Sequence, residues 1–335
     1  MLKRILITGN VARPNPDGSV NQRINVNWIF QVLRHPLALA TGLQPEILLP
    51  PPDFRTDMEE WLKSFSPDHP AWHARQGLTP ADLVIGFELP PNAVHQLDEQ
   101  EVPLVGLTVC PIRFLDDILF DFSCRRIAGA DGILGARRVP EESFYVHAGL
   151  VKAQMQLLPP LSLPARSALL VGQTPIDQSL IEDGRMLNLE MFEARLKTVL
   201  ARHAAVYFKP HPYGQSKAVT DYLRRLGIRL TTENVYRLLS QDEIEAVYAI
   251  SSSVLSEARY FGKSAEFFRS IRPPADAMPV APTEFLTVNF WADLLAPLHT
   301  TRRLEPDVWL GDKPNRLRKA FRNWWGYDFV ENPSV

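Results

Sequence analysis

Short apolar runs alternate with longer segments of mixed polarity along most of this 335-residue chain. KRILIT (3–8), EILLP (46–50), ADLVIGFELP (81–90), VPLVGLTVCP (102–111), SALLVGQ (167–173), AVYFKPHP (205–212), IRLTT (228–232) and EAVYAI (245–250) read as strands, several running straight into Gly or Pro. Runs of this length bounded by turn residues suit strands buried on both sides. Between them, 21–35, 57–65, 188–202, 215–226 and the segment opened by SSSVLSEARYFG read as helices, with helix or turn at 234–245. Strand and helix in alternation predict parallel sheet with helices on both faces.

The length suits two α/β domains of roughly 150 residues each. Prolines number 29 and gather in PEILLPPPDF, LLPPLSLP and IRPPADAMPVAP, which read as loops; MQLLPPLSLPAR (155–166) is the expected linker. The expected division is a Rossmann-like domain at 1–158 on the acceptor side, a second at 159–311 on the donor side, and a tail at 312–335 whose helix returns to the first domain. That tail mixes Arg316, Arg318, Lys319 and Arg322 with Trp324 and Trp325. Packing across the domains and peripheral contact with a membrane surface are both open for it. Lys plus Arg (36) nearly balances Asp plus Glu (38), which excludes a protein held on nucleic acid by counterion release. The MLKRILITGN start reads as a first strand rather than a signal peptide, and no apolar run reaches membrane-spanning length. A cytoplasmic protein is therefore expected. Cys110 and Cys124 form no CxxC pair, so neither zinc nor a disulfide framework is expected.

Candidate chemistry gathers where strands end. AVYFKPHP places Lys209 and His211 after a strand, and about 40 residues later AVYAISSSVLSEA places Ser251, Ser252 and Ser253 where a helix begins. Ligands of open parallel sheets bind at such strand ends. Cationic donors, hydroxyls and helix-start N–H groups suit a phosphate. Glu257, one turn beyond Ser253, could hold ribose hydroxyls or lie solvated. ALLVGQTPIDQSLI runs from a strand into Gly172 and Gln173 and then Asp177, which reads as a catalytic acid or as a plain Asx-turn. Glu182 and Asp183 read as a turn. Glu88 directly follows DLVIGF, and Arg113 follows TVCPI; an arginine fork fits a sugar carboxylate or a salt bridge to Asp116 or Asp117. Nucleotide motifs of the GxGxxG and P-loop kinds are absent, as are HExxH and a metal-holding DxD after a strand.

VGQTPIDQSLI, YFKPHP and ISSSVLSEA resemble the retaining β-Kdo transferases of bacterial surface polysaccharides, the group of the KpsC capsule enzymes and the WbbB Kdo-transferase module. IGFELPP and CPIRFLDDIL resemble the WbbB kind. KPHP with SSS is shared with CMP-sialic acid transferases, from which the GQxxxDxSLI element separates it. The resemblance implies a GT-B arrangement, two Rossmann-like domains facing a cleft. It implies Asp177 as nucleophile, Glu88 as a cleft acid, and His211, Ser252 and Ser253 at the CMP site, with Gln173, Lys209, Ser251, Glu257 and Arg113 around the donor. CMP-β-Kdo would be the donor and a glycan or lipid-linked glycan the acceptor, with no metal or other cofactor. The alternatives are an inverting CMP-sialic acid transferase with Asp177 as base, and a glycan-binding relative without activity. Acceptor, linkage and oligomeric state are not legible.

Overall fold

The computed structural model describes residues 1–212, 214, 216–269 and 278–308. They fall into two compact units. One comprises Met1–Cys110, Asp116–Val139 and the described part of Pro274–Asn323; the other comprises Pro111–Leu115 and the described part of Pro140–Pro273. The expected tail helix lies outside the described residues.

The first unit runs β1 (Arg4–Gly9), α1 (Arg23–Thr41), β2 (Glu46–Ile47), α2 (Met58–Lys63), β3 (Asp82–Phe87), α3 (Pro91–Glu99), β4 (Leu104–Val109), β5 (Phe120–Arg125) and α4 (Ala130–Arg137). After the second unit the chain returns as β13 (Met278–Val280), α10 (Pro282–Phe285) and α11 (Val288–Leu295). The sheet order is β13-β5-β4-β3-β1-β2. β2, β1, β3 and β4 are parallel, with Ile5 opposite Leu83 and Ile7 opposite Ile85. All six residues of β3 are buried, as expected of a parallel strand covered on both faces. β5 and β13 add an antiparallel edge, so the all-parallel expectation is corrected for this unit. Val26, Ile29, Leu33, Leu37 and Ala40 make the buried stripe of α1 and share a core cluster with Val288, Trp291, Leu294 and Leu295 of α11. That stripe carries α1 past Pro36 to Thr41, beyond the end expected near residue 35. Burial of Leu37 and Ala40 offsets the roughly 3 kcal/mol of a proline inside a helix.

The second unit runs α5 (Glu141–Met155), β6 (Ser167–Val171), β7 (Ile181–Glu182), β8 (Arg185–Met186), α6 (Glu193–Arg202), β9 (Ala205–Lys209), α7 (Lys217–Arg225), β10 (Arg229–Leu230), α8 (Val235–Leu239), β11 (Ile244–Ala249), α9 (Val254–Ala258) and β12 (Ser264–Phe267). Its main sheet, β10-β9-β6-β11-β12, is parallel throughout. β7 and β8 form a separate hairpin. Asp183 and Gly184, at φ 48° and 69°, make the two-residue turn that matches strand twist.

The domain boundaries differ from the expected ones. The chain passes into the second unit at Val139–Pro140, because α5 buries Phe144, Ala148, Val151 and Met155 there. The proline-rich 155–166 segment therefore joins two elements of one unit. The return to the first unit likewise comes before β13, well ahead of residue 312. Among the described residues no helix is long and apolar enough to cross a membrane.

Candidate functional site

In the second unit β6 sits at the centre of the sheet. The chain leaves it first for β9 and β10 on one side, then for β11 and β12 on the other. This reversal opens a crevice beyond the carboxyl ends of β6 and β11, the usual ligand position in such sheets. Gln173 stands two residues past β6 and Ser251 two past β11. The backbone N–H of Ser251 donates to Gln173 Oε1 (2.8 Å), and Gln173 Nε2 donates to Ser251 Oγ (2.7 Å). Gln173 Nε2 also donates to Ser179 Oγ (2.9 Å), and Ser251 Oγ lies 3.0 Å from the same hydroxyl.

Asp177 caps the single 3₁₀ turn Gln178–Leu180. Its Oδ1 accepts the backbone N–H (2.9 Å) and the hydroxyl (2.8 Å) of Ser179. The Asx-turn expected as one alternative is present, and it leaves a half-buried carboxylate anchored through one oxygen. Arg269, just past β12, braces the turn by donating to the Ser179 carbonyl (2.5 Å) and to Glu182 (3.0 Å). Sequence reading missed Ser179 and Arg269. The D-x-S spacing was a usable signal for Ser179; nothing near Arg269 in the chain points 90 residues back.

His211, two residues past β9, is 6% exposed. Burial pushes its imidazole below the ordinary value, and the charge of Asp177 acts in the opposite direction. Lys209 turns elsewhere: its Nζ donates to the Thr232 carbonyl (3.0 Å), and burial lowers its pKa against the opposing pull of Glu233. The serines sit less simply at a helix start than expected. α9 has five residues, and Ser253 at its N-cap makes no side-chain capping bond. Ser251 belongs to the Gln173 pair, while Ser252 Oγ makes a long contact (3.4 Å) with the Val254 N–H.

Glu257 is not solvated. It is 1% exposed, and its Oε1 accepts the backbone N–H of Arg113 (2.6 Å) and the hydroxyl of Tyr236 (3.1 Å). Arg113 reaches it because 111–115 packs in the second unit. The neighbouring Phe114 meets Tyr236, Tyr260 and Phe261 edge-on, with centroids 5.4–6.2 Å apart. Gln173 and Glu257, both expected at the donor, thus have partners within the protein.

Glu88 directly follows β3 in the first unit, beside the reversal between β1 and β3. Its φ of 48° is a left-handed conformation that a non-glycine residue adopts at a cost of about 1 kcal/mol, often at functional positions. Gln22 Nε2 donates to its Oε2 (3.0 Å), and Asn25 Nδ2 donates to Gln22 Oε1 in turn (2.6 Å). Nearby, the fully buried His73 bonds through Nε2 to Thr8 Oγ1 (3.1 Å) and the Gly9 carbonyl (3.2 Å). A carbonyl only accepts, so Nε2 carries the proton. Burial lowers this imidazole from 6.5 to about 4. The unfolded chain therefore binds a proton that the folded one refuses. Stability is full above about pH 6.5 and falls as pH drops toward 4. Between pH 7 and 5 the loss from this group is about 2 kcal/mol. Urea unfolding at both pH values is expected to show this extra loss in the parent and not in His73→Gln; equal losses would refute it.

Among the described residues no group of three His, Cys, Asp or Glu is placed to hold a metal ion. No family model matches the chain, and no curated protein does. Among solved structures, the chain is similar to the KpsC β-Kdo 2,7 transferase of Thermosulfurimonas dismutans, at 14% identity and TM-score 0.42, over 84% of this chain and 82% of that one. It is also similar to the KpsC β-Kdo 2,4 transferase of the same organism, at 17% identity and TM-score 0.33, over 57% of this chain and 68% of that one.

Proposed function

We propose that the chain is a glycosyltransferase that moves Kdo from CMP-β-Kdo to a glycan acceptor with retention, through an adduct on Asp177. The observation that carries this reading is the Asp177 carboxylate, anchored through one oxygen at the crevice of a parallel sheet and close enough to the buried His211 for its charge to act on the ring. The choice of an acidic CMP-activated sugar comes from the likeness of the Asp177, His211 and serine motifs to the Kdo transferases.

In the first step an Asp177 oxygen bonds to the anomeric carbon, the bond from that carbon to the phosphate oxygen breaks, and its electron pair leaves with CMP. His211 is the group for the departing phosphate. An arriving anion favours its protonated form, reversing the effect of burial, and the proton then stabilises the charge that grows on the leaving group. Ser252 and Ser253, between β11 and α9, offer hydroxyls to the same phosphate. In the second step the acceptor hydroxyl attacks the anomeric carbon, the bond to Asp177 breaks, and the acceptor proton passes to a base, for which Glu88 is the candidate. Two inversions leave the configuration unchanged.

The donor half of this reading has a direct binding test. CMP at a hundredfold excess over its Kd should stabilise the parent by about 2.7 kcal/mol. UDP should do so less, and His211→Ala should lose most of the gain. Equal stabilisation by UDP, or an unchanged response in His211→Ala, would count against the assignment.

A further inference from the structure

We propose that Ser179 is the positioning residue that decides which oxygen of Asp177 attacks, and that Gln173 and Ser251 serve Ser179. This rests on the reading of Asp177 as nucleophile.

The Ser251 backbone N–H can only donate, so the Gln173 atom that receives it is the amide oxygen. The Gln173 NH₂ is thereby turned toward the two hydroxyls, and its two hydrogens serve Ser251 Oγ (2.7 Å) and Ser179 Oγ (2.9 Å). The Ser251 hydroxyl, having accepted one of them, passes its own proton to Ser179 Oγ (3.0 Å). Ser179 Oγ now accepts twice, which uses both its lone pairs. Its single proton goes to Asp177 Oδ1 at 2.8 Å. Gln173 and Ser251, paired across the ends of β6 and β11, both donate to Ser179 Oγ, which donates on to the carboxylate.

The result is an asymmetric carboxylate. Oδ1 takes two donors from Ser179, whereas Oδ2 takes no hydrogen bond from the described residues. An oxygen with two donors has its lone pairs engaged and its charge stabilised, and it is the poorer nucleophile. The other takes none among the described residues, and the fixed side-chain torsion holds it in one direction. Gln173 and Ser251 are both buried, so the relay stands before any donor arrives and costs no reorganisation during reaction. Arg269, on the Ser179 carbonyl, holds the same turn from its backbone side.

Single-turnover adduct formation, followed by intact mass spectrometry with CMP-Kdo and no acceptor, tests this. Ser179→Ala is expected to slow adduct formation about 10- to 100-fold, the scale of a misplaced reacting group. CMP affinity should stay within about twofold, since the Ser179 hydroxyl bonds Asp177, Gln173 and Ser251 and not the groups proposed for the phosphate, His211, Ser252 and Ser253. Ser179→Thr should restore most of the rate. Gln173→Glu keeps the side-chain volume but replaces a donor by an acceptor, which draws the Ser179 proton away from Asp177; it should slow the adduct while retaining the fold. The proposal is overturned if Ser179→Ala forms adduct at the parent rate, or if rate and CMP affinity fall together in Ser179→Ala and Ser179→Thr does not recover. A parent that forms no adduct at all overturns the nucleophile reading itself, and this inference with it.

Discussion

Asp177→Asn is expected to lower transfer at least about a thousandfold while leaving the fold and CMP binding close to those of the parent. The amide keeps an oxygen for the Ser179 N–H and hydroxyl, which hold Oδ1 in the parent, so the 3₁₀ turn it caps should survive. What it loses is the charge and nucleophilicity of the second oxygen. Asp177→Ala should lose activity similarly, with some additional loosening of the turn. In the parent, mass spectrometry with CMP-Kdo should show a Kdo-sized increment on the peptide that contains Asp177. Glu88→Gln should behave differently: if the carboxylate serves only the acceptor step, the adduct still forms and accumulates. Substantial transfer by Asp177→Ala would remove the carboxylate from the chemistry. A product of inverted configuration would make Asp177 a base that activates the acceptor directly, as in the sialyltransferase-like alternative.

Phe114→Ala is expected to cost about 3–5 kcal/mol, the range for deleting a buried phenyl ring. Phe114 is 2% exposed, and its ring is walled by Tyr236, Tyr260 and Phe261. Those residues are held by their own packing, Tyr236 against Phe261 in a stacked pair, so the site cannot collapse cheaply around the space left. The substitution also loosens 111–115, whose Arg113 N–H satisfies the buried Glu257 carboxylate. A buried carboxyl oxygen left without one of its donors is a further penalty. Chemical denaturation reads the loss directly. Phe114→Leu, which keeps most of the apolar volume, should recover more than half of it. A loss under about 1 kcal/mol for Phe114→Ala would mean that this segment does not anchor the second unit.

The expected roles of Gln173 and Glu257 show how far reading motifs carries. Both residues were singled out because they stand at strand or helix ends beside other polar residues. The structure gives each a protein partner far away in the chain: Gln173 pairs with Ser251, and Glu257 with Arg113. A polar residue near a site and a polar residue facing its ligand look the same in a sequence. Burial and partners show what each holds within the protein.

What the chain determined by itself is local. Apolar runs of strand length mark β1, β3, β4, β6, β9 and β11, since strands buried on both faces must be apolar throughout. The residues just past them, Glu88, Asp177, His211 and the three serines, are legible as strand-end groups. So are the Asp183–Gly184 turn and the Asp177–Ser179 cap, because their bonds close within two or three residues. What only the tertiary structure decided is which strand ends lie together. The central place of β6 sets Gln173 against Ser251 across 78 residues, and α5 joins the second unit through a buried stripe that no proline-rich segment announces. The antiparallel β5 and β13, the bracing Arg269, the Gln22–Glu88 bond and the neutral buried His73 are of the same kind. Each depends on sheet order and exclusion of water, which are set by the whole packed unit and not by the residues on either side.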